Sequence, residues 1–131
     1  MKPAPDTEKV TINVGMVDLG RIDLLVRDGF YASRSDFIRT AIRARIEKEG
    51  EPVAAALRRN RLELGLCDIG TAELEAAVAS GAHLDIRVVG LARIASDVTP
   101  ELARAAIASI TVLGALQASP EVKAALADRI T

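Results

Sequence analysis

Strict alternation of apolar and polar residues occurs first in "KVTINV", where Val10, Ile12 and Val14 alternate with Lys9, Thr11 and Asn13. Successive side chains of a strand point to opposite faces, so this spacing predicts a short strand with one apolar and one hydrogen-bonding face. No second strand follows nearby in the sequence. An isolated strand leaves its backbone N–H and C=O groups unpaired, which is costly unless another chain supplies partners. The natural partner is the same strand from a second copy.

Gly15 ends the alternation, and "MVDLGRIDLLVRDG" switches to helical spacing, with Val17, Leu19, Ile22, Leu25 and Val26 on a broadly one-sided stripe. Gly29 closes this helix as a C-terminal cap. Gly20 inside it weakens the helix by about 1 kcal/mol relative to alanine. A second helix opens at "SRSD", with Ser33 at the N-cap position and Asp36 three residues on, a capping-box-like pair. Phe37, Ile38, Ala41, Ile42 and Ile46 share one face of it, and Gly50 with Pro52 predicts its end.

Strand, helix, turn and helix in about forty residues are too few for an independent core. Two intertwined copies remove the difficulty: the strands pair antiparallel, and their Val10, Ile12 and Val14 faces cover four helices. The pieces "KVTINV" and "DLGRIDLLVRDGFYASRSDFIRTAIRARI", about residues 8 to 48, resemble the ribbon-helix-helix family of DNA-binding proteins, the MetJ, Arc and CopG superfamily.

That resemblance implies a homodimer whose two-stranded ribbon enters the major groove of double-stranded DNA. Lys9, Thr11 and Asn13 would then face base edges. Lysine can donate to guanine O6 and N7, asparagine can pair with adenine N6 and N7, and threonine can offer a hydroxyl or a methyl contact to thymine. Ser33, Arg34 and Ser35, at the start of the second helix, would meet phosphate through free amides and a hydroxyl. Taken singly, each feature has a plainer reading, as a half-buried strand or an ordinary cap. Arg21, Arg27, Arg39, Arg43 and Arg45 read as solvated faces. "EPVAAALRRNR" reads as a short helical connector whose Arg58, Arg59 and Arg61 are candidates for contacts with flanking DNA.

The remaining residues repeat. "LELGLCDI", "IRVVGLARI" and "ITVLGALQA" are apolar alternations interrupted by Gly65, Gly90 and Gly114. "TAELEAAVAS", "TPELARAAIA" and "SPEVKAALAD" each place Glu two residues after Thr or Ser and continue as alanine-rich helix. Thr71, Thr99 and Ser119 are the expected N-caps, with Pro100 and Pro120 at the first helical position. Three strand-helix units predict a small parallel sheet with helices on one side, a solenoid-like arrangement. The leucine-rich-repeat asparagine signature is absent. Exposed strand edges in such an array seek partners, which predicts tetramers or higher assemblies.

The fold class expected is therefore α+β. Residues 1–50 form an intertwined ribbon-helix-helix dimer for DNA binding, 51–61 a connector, and 62–131 a strand-helix repeat for oligomerisation or interaction. Composition fits a globular chain: half of the 131 residues are apolar, enough to bury a core. No apolar run reaches membrane-spanning length, and the opening "MKPAPDTEK" lacks the apolar stretch of a signal peptide, so a soluble cytoplasmic protein is expected. Up to Gly50 there are nine basic and eight acidic residues, and after it eight and ten. A DNA surface must therefore come from local arrangement and not from bulk charge.

Cys67 and His83 are each the sole residue of their type, which excludes a Cys/His zinc site and the multi-ligand nickel site of some relatives of this fold. No cofactor and no catalytic constellation is read from the chain. The function expected is a sequence-specific transcriptional regulator, acting as a repressor. The alternatives are the antitoxin of a toxin-antitoxin pair, with a toxin as partner, a plasmid-partition protein, or a structural self-assembling protein.

Overall fold

The computed structural model describes residues 7–131. Helices α1 (Met16–Arg27), α2 (Arg34–Lys48) and α3 (Gly50–Asn60) are followed by β1 (Glu63–Ile69), α4 (Thr71–Ser80), β2 (Leu84–Ile94), α5 (Pro100–Ala106), β3 (Ile107–Gln117) and α6 (Pro120–Ala125). Two compact units divide within α3, one holding Thr7–Ala55 and the other Ala56–Thr131.

In the first unit, α1 ends where expected. Gly29 adopts a left-handed φ of +87° and its N–H donates to the Val26 carbonyl, while the Phe30 N–H reaches back to Leu25. These are the paired bonds of a Schellman cap, for which glycine carries no Cβ penalty. Ser33 caps α2, its Oγ accepting from the Asp36 N–H at 3.0 Å. Asp36 returns the favour one residue earlier than a standard capping box, its carboxylate accepting from the Ala32 N–H at 2.9 Å. Tyr31 and Phe37 meet edge to face with centroids 5.0 Å apart, bracing the turn between the helices.

The second helix ends at Lys48, beside Gly50 and Pro52 as the sequence predicts, and the expected helical connector follows as α3. The chain breaks at Glu49 and restarts as α3, with Pro52 in its first turn, where a missing N–H leaves no intrahelical bond unmade. Proline here separates two helices without preventing the second.

The second unit is built on a three-stranded parallel sheet in the order β1-β2-β3. Parallel neighbours need crossovers, and α4 and α5 supply them. Ile86, Val88, Ala92 and Ile94 of β2 share one core with Ile107 and Ile110 of β3, Leu74 and Ala77 of α4, Ala103 and Ala106 of α5, and Val122 and Leu126 of α6. The helices thus cover a single face of the sheet. Their alanines allow a close approach, and leucine and valine fill the remaining space.

The glycine repeat becomes a structural row. Gly65 lies opposite Gly90, and Gly90 opposite Gly114. All three have positive φ, at +130°, +135° and +117°, which side chains with a Cβ rarely adopt. At Gly90 a Cβ would collide with the Gly65 carbonyl oxygen, and at Gly114 with that of Gly90. Each strand's carbonyl occupies the space vacated by the next strand's missing side chain.

Thr99 and Ser119 cap α5 and α6 as expected, accepting from the Leu102 and Val122 N–H groups, with Pro100 and Pro120 following. Thr71 does not. β1 runs so close to α4 that Gly70 takes the N-cap position, and Thr71 becomes the first helical residue, where its Oγ1 is buried without a hydrogen-bond partner among the described residues. Removing a buried unsatisfied hydroxyl while keeping the shape relieves a desolvation cost of about 1–3 kcal/mol. Thr71→Val should therefore raise the thermal midpoint, whereas a true cap would lose stability; calorimetry distinguishes the signs.

Candidate nucleic-acid interface

Lys9, Thr11 and Asn13 lie in the segment before α1, and all three are exposed. The segment from Thr7 to Val14 takes no backbone hydrogen-bond partner among the described residues. Its apolar side is equally bare: Val10 is 78% and Ile12 65% exposed. Met16, Val17, Leu24, Phe30, Ile42 and Ile46 are also exposed in this unit, and Ile22 is its one buried residue among those described. Apolar residues at core spacing without a core mark a surface that a single chain does not complete.

At the start of α2, the Arg34 guanidinium forms a two-pronged bond to Asp23 of α1, Nε to Oδ1 at 2.7 Å and Nη2 to Oδ2 at 2.8 Å. The hydrogen bonds that Arg34 donates pull the Asp23 carboxyl below its ordinary pKa, and the same bonds lift Arg34 above its own. The Arg34 side chain is thus committed to bracing α1 against α2, leaving its backbone N–H and that of Ser35 as the donors at this helix end. The Asp36 and Phe37 N–H groups are already taken by Ser33. Sequence spacing had marked Arg34 and missed this bridge, because eleven residues separate the partners and neither belongs to a helical i, i+4 pair.

Because the folded Asp23 pKa is depressed, the pair's contribution to stability is present above the unfolded carboxylate value and is lost as pH falls through the folded one. Asp128 behaves alike: the hydrogen bond from Arg104, whose own pKa is raised in turn, holds its carboxyl low. Acid melts of the wild type should lose stability below the normal carboxylate range. Asp23→Asn should flatten the part of that slope owed to the first unit.

Arg58 and Arg59 fall in the last turn of α3, and Arg61 follows with a left-handed φ of +54°; all three are exposed and belong to the second unit. Basic residues there also favour the negative end of the helix dipole. Arg61 borders a cavity lined by Glu63, Cys67, Glu73, Asp85 and Arg87, in which charges of both signs meet. Burial, with the nearby carboxylates of Glu73, Glu63 and Asp68, pushes the Cys67 thiol above its ordinary pKa, so it is protonated near neutrality and a weak nucleophile. Among the described residues, no three His, Cys, Asp or Glu side chains group so as to hold a metal ion, and no helix is long and apolar enough to cross a membrane.

Comparison with known proteins gives one match. The sequence model of a family described as the Ribbon-Helix-Helix transcriptional regulator family fits residues 5–123, which takes in the exposed segment, all three leading helices and the sheet with its crossovers. No curated protein and no solved structure matches the chain.

Proposed function

The chain belongs to the ribbon-helix-helix transcriptional regulator family, and from that premise we propose that it is a sequence-specific DNA-binding repressor whose Lys9–Val14 segments pair across a homodimer and enter the major groove. The observation that carries this reading is the unpaired, two-faced segment itself. Its apolar side chains and those of α1 and α2 are exposed together, so one association with a second copy pairs the backbone and covers the surface. The same association turns Lys9, Thr11 and Asn13 outward as six readers.

Each reader has a suitable base edge, and the free amides of Arg34 and Ser35 supply phosphate contacts that fix the ribbon's register. The Arg34–Asp23 fork supports this role by holding the helix that carries those amides. Arg58, Arg59 and Arg61 add cations toward DNA flanking the core site. Occupancy of a promoter then represses by occlusion.

The second unit, here read as residues 62–131, serves as a solenoid-like assembly module that links dimers into tetramers or larger species. Linked dimers on adjacent half-sites gain avidity through effective concentration, by about 10² or more. The antitoxin reading is less well supported, because a tail that orders on its toxin does not need the shared core of α4, α5, α6 and the sheet.

The test is binding of the full chain to DNA from upstream of its own gene, against a scrambled duplex, at two salt concentrations. Selective binding that weakens with salt supports the regulator; equal binding to both duplexes removes self-regulation at that site.

A further inference from the structure

Arg34 is the first residue of α2, and the Cα–Cβ bonds of a helix tilt toward its N-terminus. A side chain at this position therefore extends naturally past the helix end, toward any phosphate that the Arg34 and Ser35 amides bind. The guanidinium is turned to α1 instead. Its Nε and Nη2 donate to the two Asp23 oxygens at 2.7 and 2.8 Å, the parallel, charge-assisted pair in which guanidinium and carboxylate fit best. The helix end is left with the partial charge of its own dipole, about half a unit, while the full charge of Arg34 is balanced by Asp23.

The fork is not the turn's sole support. Ser33 Oγ accepts from the Asp36 N–H, Asp36 accepts from the Ala32 N–H, the Phe37 N–H donates to the Ser33 carbonyl at 3.1 Å, and Tyr31 meets Phe37 edge to face. These contacts all lie within residues 31–37 and none of them uses Asp23. The fork itself stands in solvent, with the Arg34 and Asp23 side chains 56% and 47% exposed. An ion pair in that setting adds little to stability, so its larger consequence is where it keeps a cation. That matters in a near-neutral unit: up to Gly50 there are nine basic and eight acidic residues, and loss of one carboxylate doubles the positive excess.

We propose that Asp23 sets the specificity of DNA binding by withholding the Arg34 side chain from phosphate. On a specific site, with Lys9, Thr11 and Asn13 seated in the groove as in the reading on which this proposal rests, the short amides of Arg34 and Ser35 reach the backbone and a further cation there gains little. Away from such a site the readers are unseated and the amides fall short. Attraction then depends on long cationic side chains, which meet phosphate in any register. A free Arg34 on each protomer adds two such cations and strengthens chiefly the non-specific complex. Asp23 keeps both occupied, so affinity for DNA at large stays low and the base readers decide where the dimer binds.

The full-length wild type first selects its preferred duplex from a random-sequence pool. Binding to that duplex and to a scrambled one is then followed over a range of salt for wild type, Asp23→Asn, Asp18→Asn and the double variant Asp23→Asn with Arg34→Ala. Asp23 is exposed, so circular dichroism should match wild type; Asp23→Ala, which places a better helix former in α1, serves if Asp23→Asn does not fold. On the scrambled duplex Asp23→Asn should bind about tenfold more tightly at about 0.1 M salt, and the slope of log affinity against log salt should steepen by about two, one for each Arg34 of the dimer. On the selected duplex the gain should stay below about threefold, so discrimination falls. The double variant should lose the extra slope, and Asp18→Asn, which removes the same charge from the same helix without touching the fork, should not produce it. Unchanged scrambled binding, a loss on both duplexes, or an equal gain on both overturns the proposal, as does an equal effect of Asp18→Asn, which assigns the gain to bulk charge. These outcomes leave sequence-specific binding standing, whereas a wild type that enriches no sequence removes that reading and the proposal with it.

Discussion

Replacing Lys9, Thr11 and Asn13 together by alanine should abolish discrimination between a specific site and random DNA while leaving the fold and dimer intact. The three side chains are exposed and their loss removes no packing. A well-formed pairing with a base edge is worth about 1–3 kcal/mol of discrimination. With readers on both strands of the ribbon, specific affinity should fall by about a thousandfold or more, to the level of non-specific binding. Removing Lys9 alone also weakens the general electrostatic attraction and should lower the salt slope. Fluorescence anisotropy with specific and scrambled duplexes measures both, and sedimentation checks that the variant still associates. A variant that retains full discrimination would place the readers elsewhere.

The largest stability effects should come from the glycine row. Gly90→Ala forces a Cβ into the Gly65 carbonyl oxygen and Gly114→Ala into that of Gly90, each at a φ that alanine disfavours. Backbone strain of this kind costs about 1–3 kcal/mol. The displaced carbonyl adds lost ladder bonds, which together give about 3–5 kcal/mol, a large share of a small domain's stability. Gly65→Ala meets no atom within 4 Å among the described residues and should lose only the strain. Thermal melts of the three variants should therefore rank Gly65→Ala above the other two. Equal losses at all three positions would show that φ alone, and not the carbonyl contact, dictates glycine here.

Local chemistry made much of this architecture legible. The Gly29 cap, the Ser33 cap and the paired Thr99-Pro100 and Ser119-Pro120 starts are all short-range signals, each decided within a few residues, whereas the strand expected from the alternation at Val10, Ile12 and Val14 is not formed in the single chain. The parallel sheet was also readable, since three glycine-interrupted strands alternate with three helices and leave few other topologies. Thr71 misled because its place depends on where β1 ends, a long-range matter: the strand's last residue, Ile69, pairs with Ile94 and leaves only Gly70 for the turn.

One feature of the candidate interface was out of reach: the Arg34–Asp23 fork joins different helices, and no spacing rule connects them. In the sheet, the difference between Gly65 and the other two glycines shows only once their register is known, because the sequence presents three equivalent glycines.

The reading of the Lys9–Val14 ribbon as a major-groove reader stands or falls on binding to a specific duplex whose purines are replaced, one position at a time, by 7-deaza analogues. These lack the N7 acceptor of the major groove and leave the phosphates and the minor groove unchanged. At the contacted purines affinity should drop by about tenfold per position, within the range for one base contact, and the triple-alanine variant should be indifferent to the same replacements. Full wild-type affinity for duplexes substituted at every purine would contradict major-groove reading by this segment.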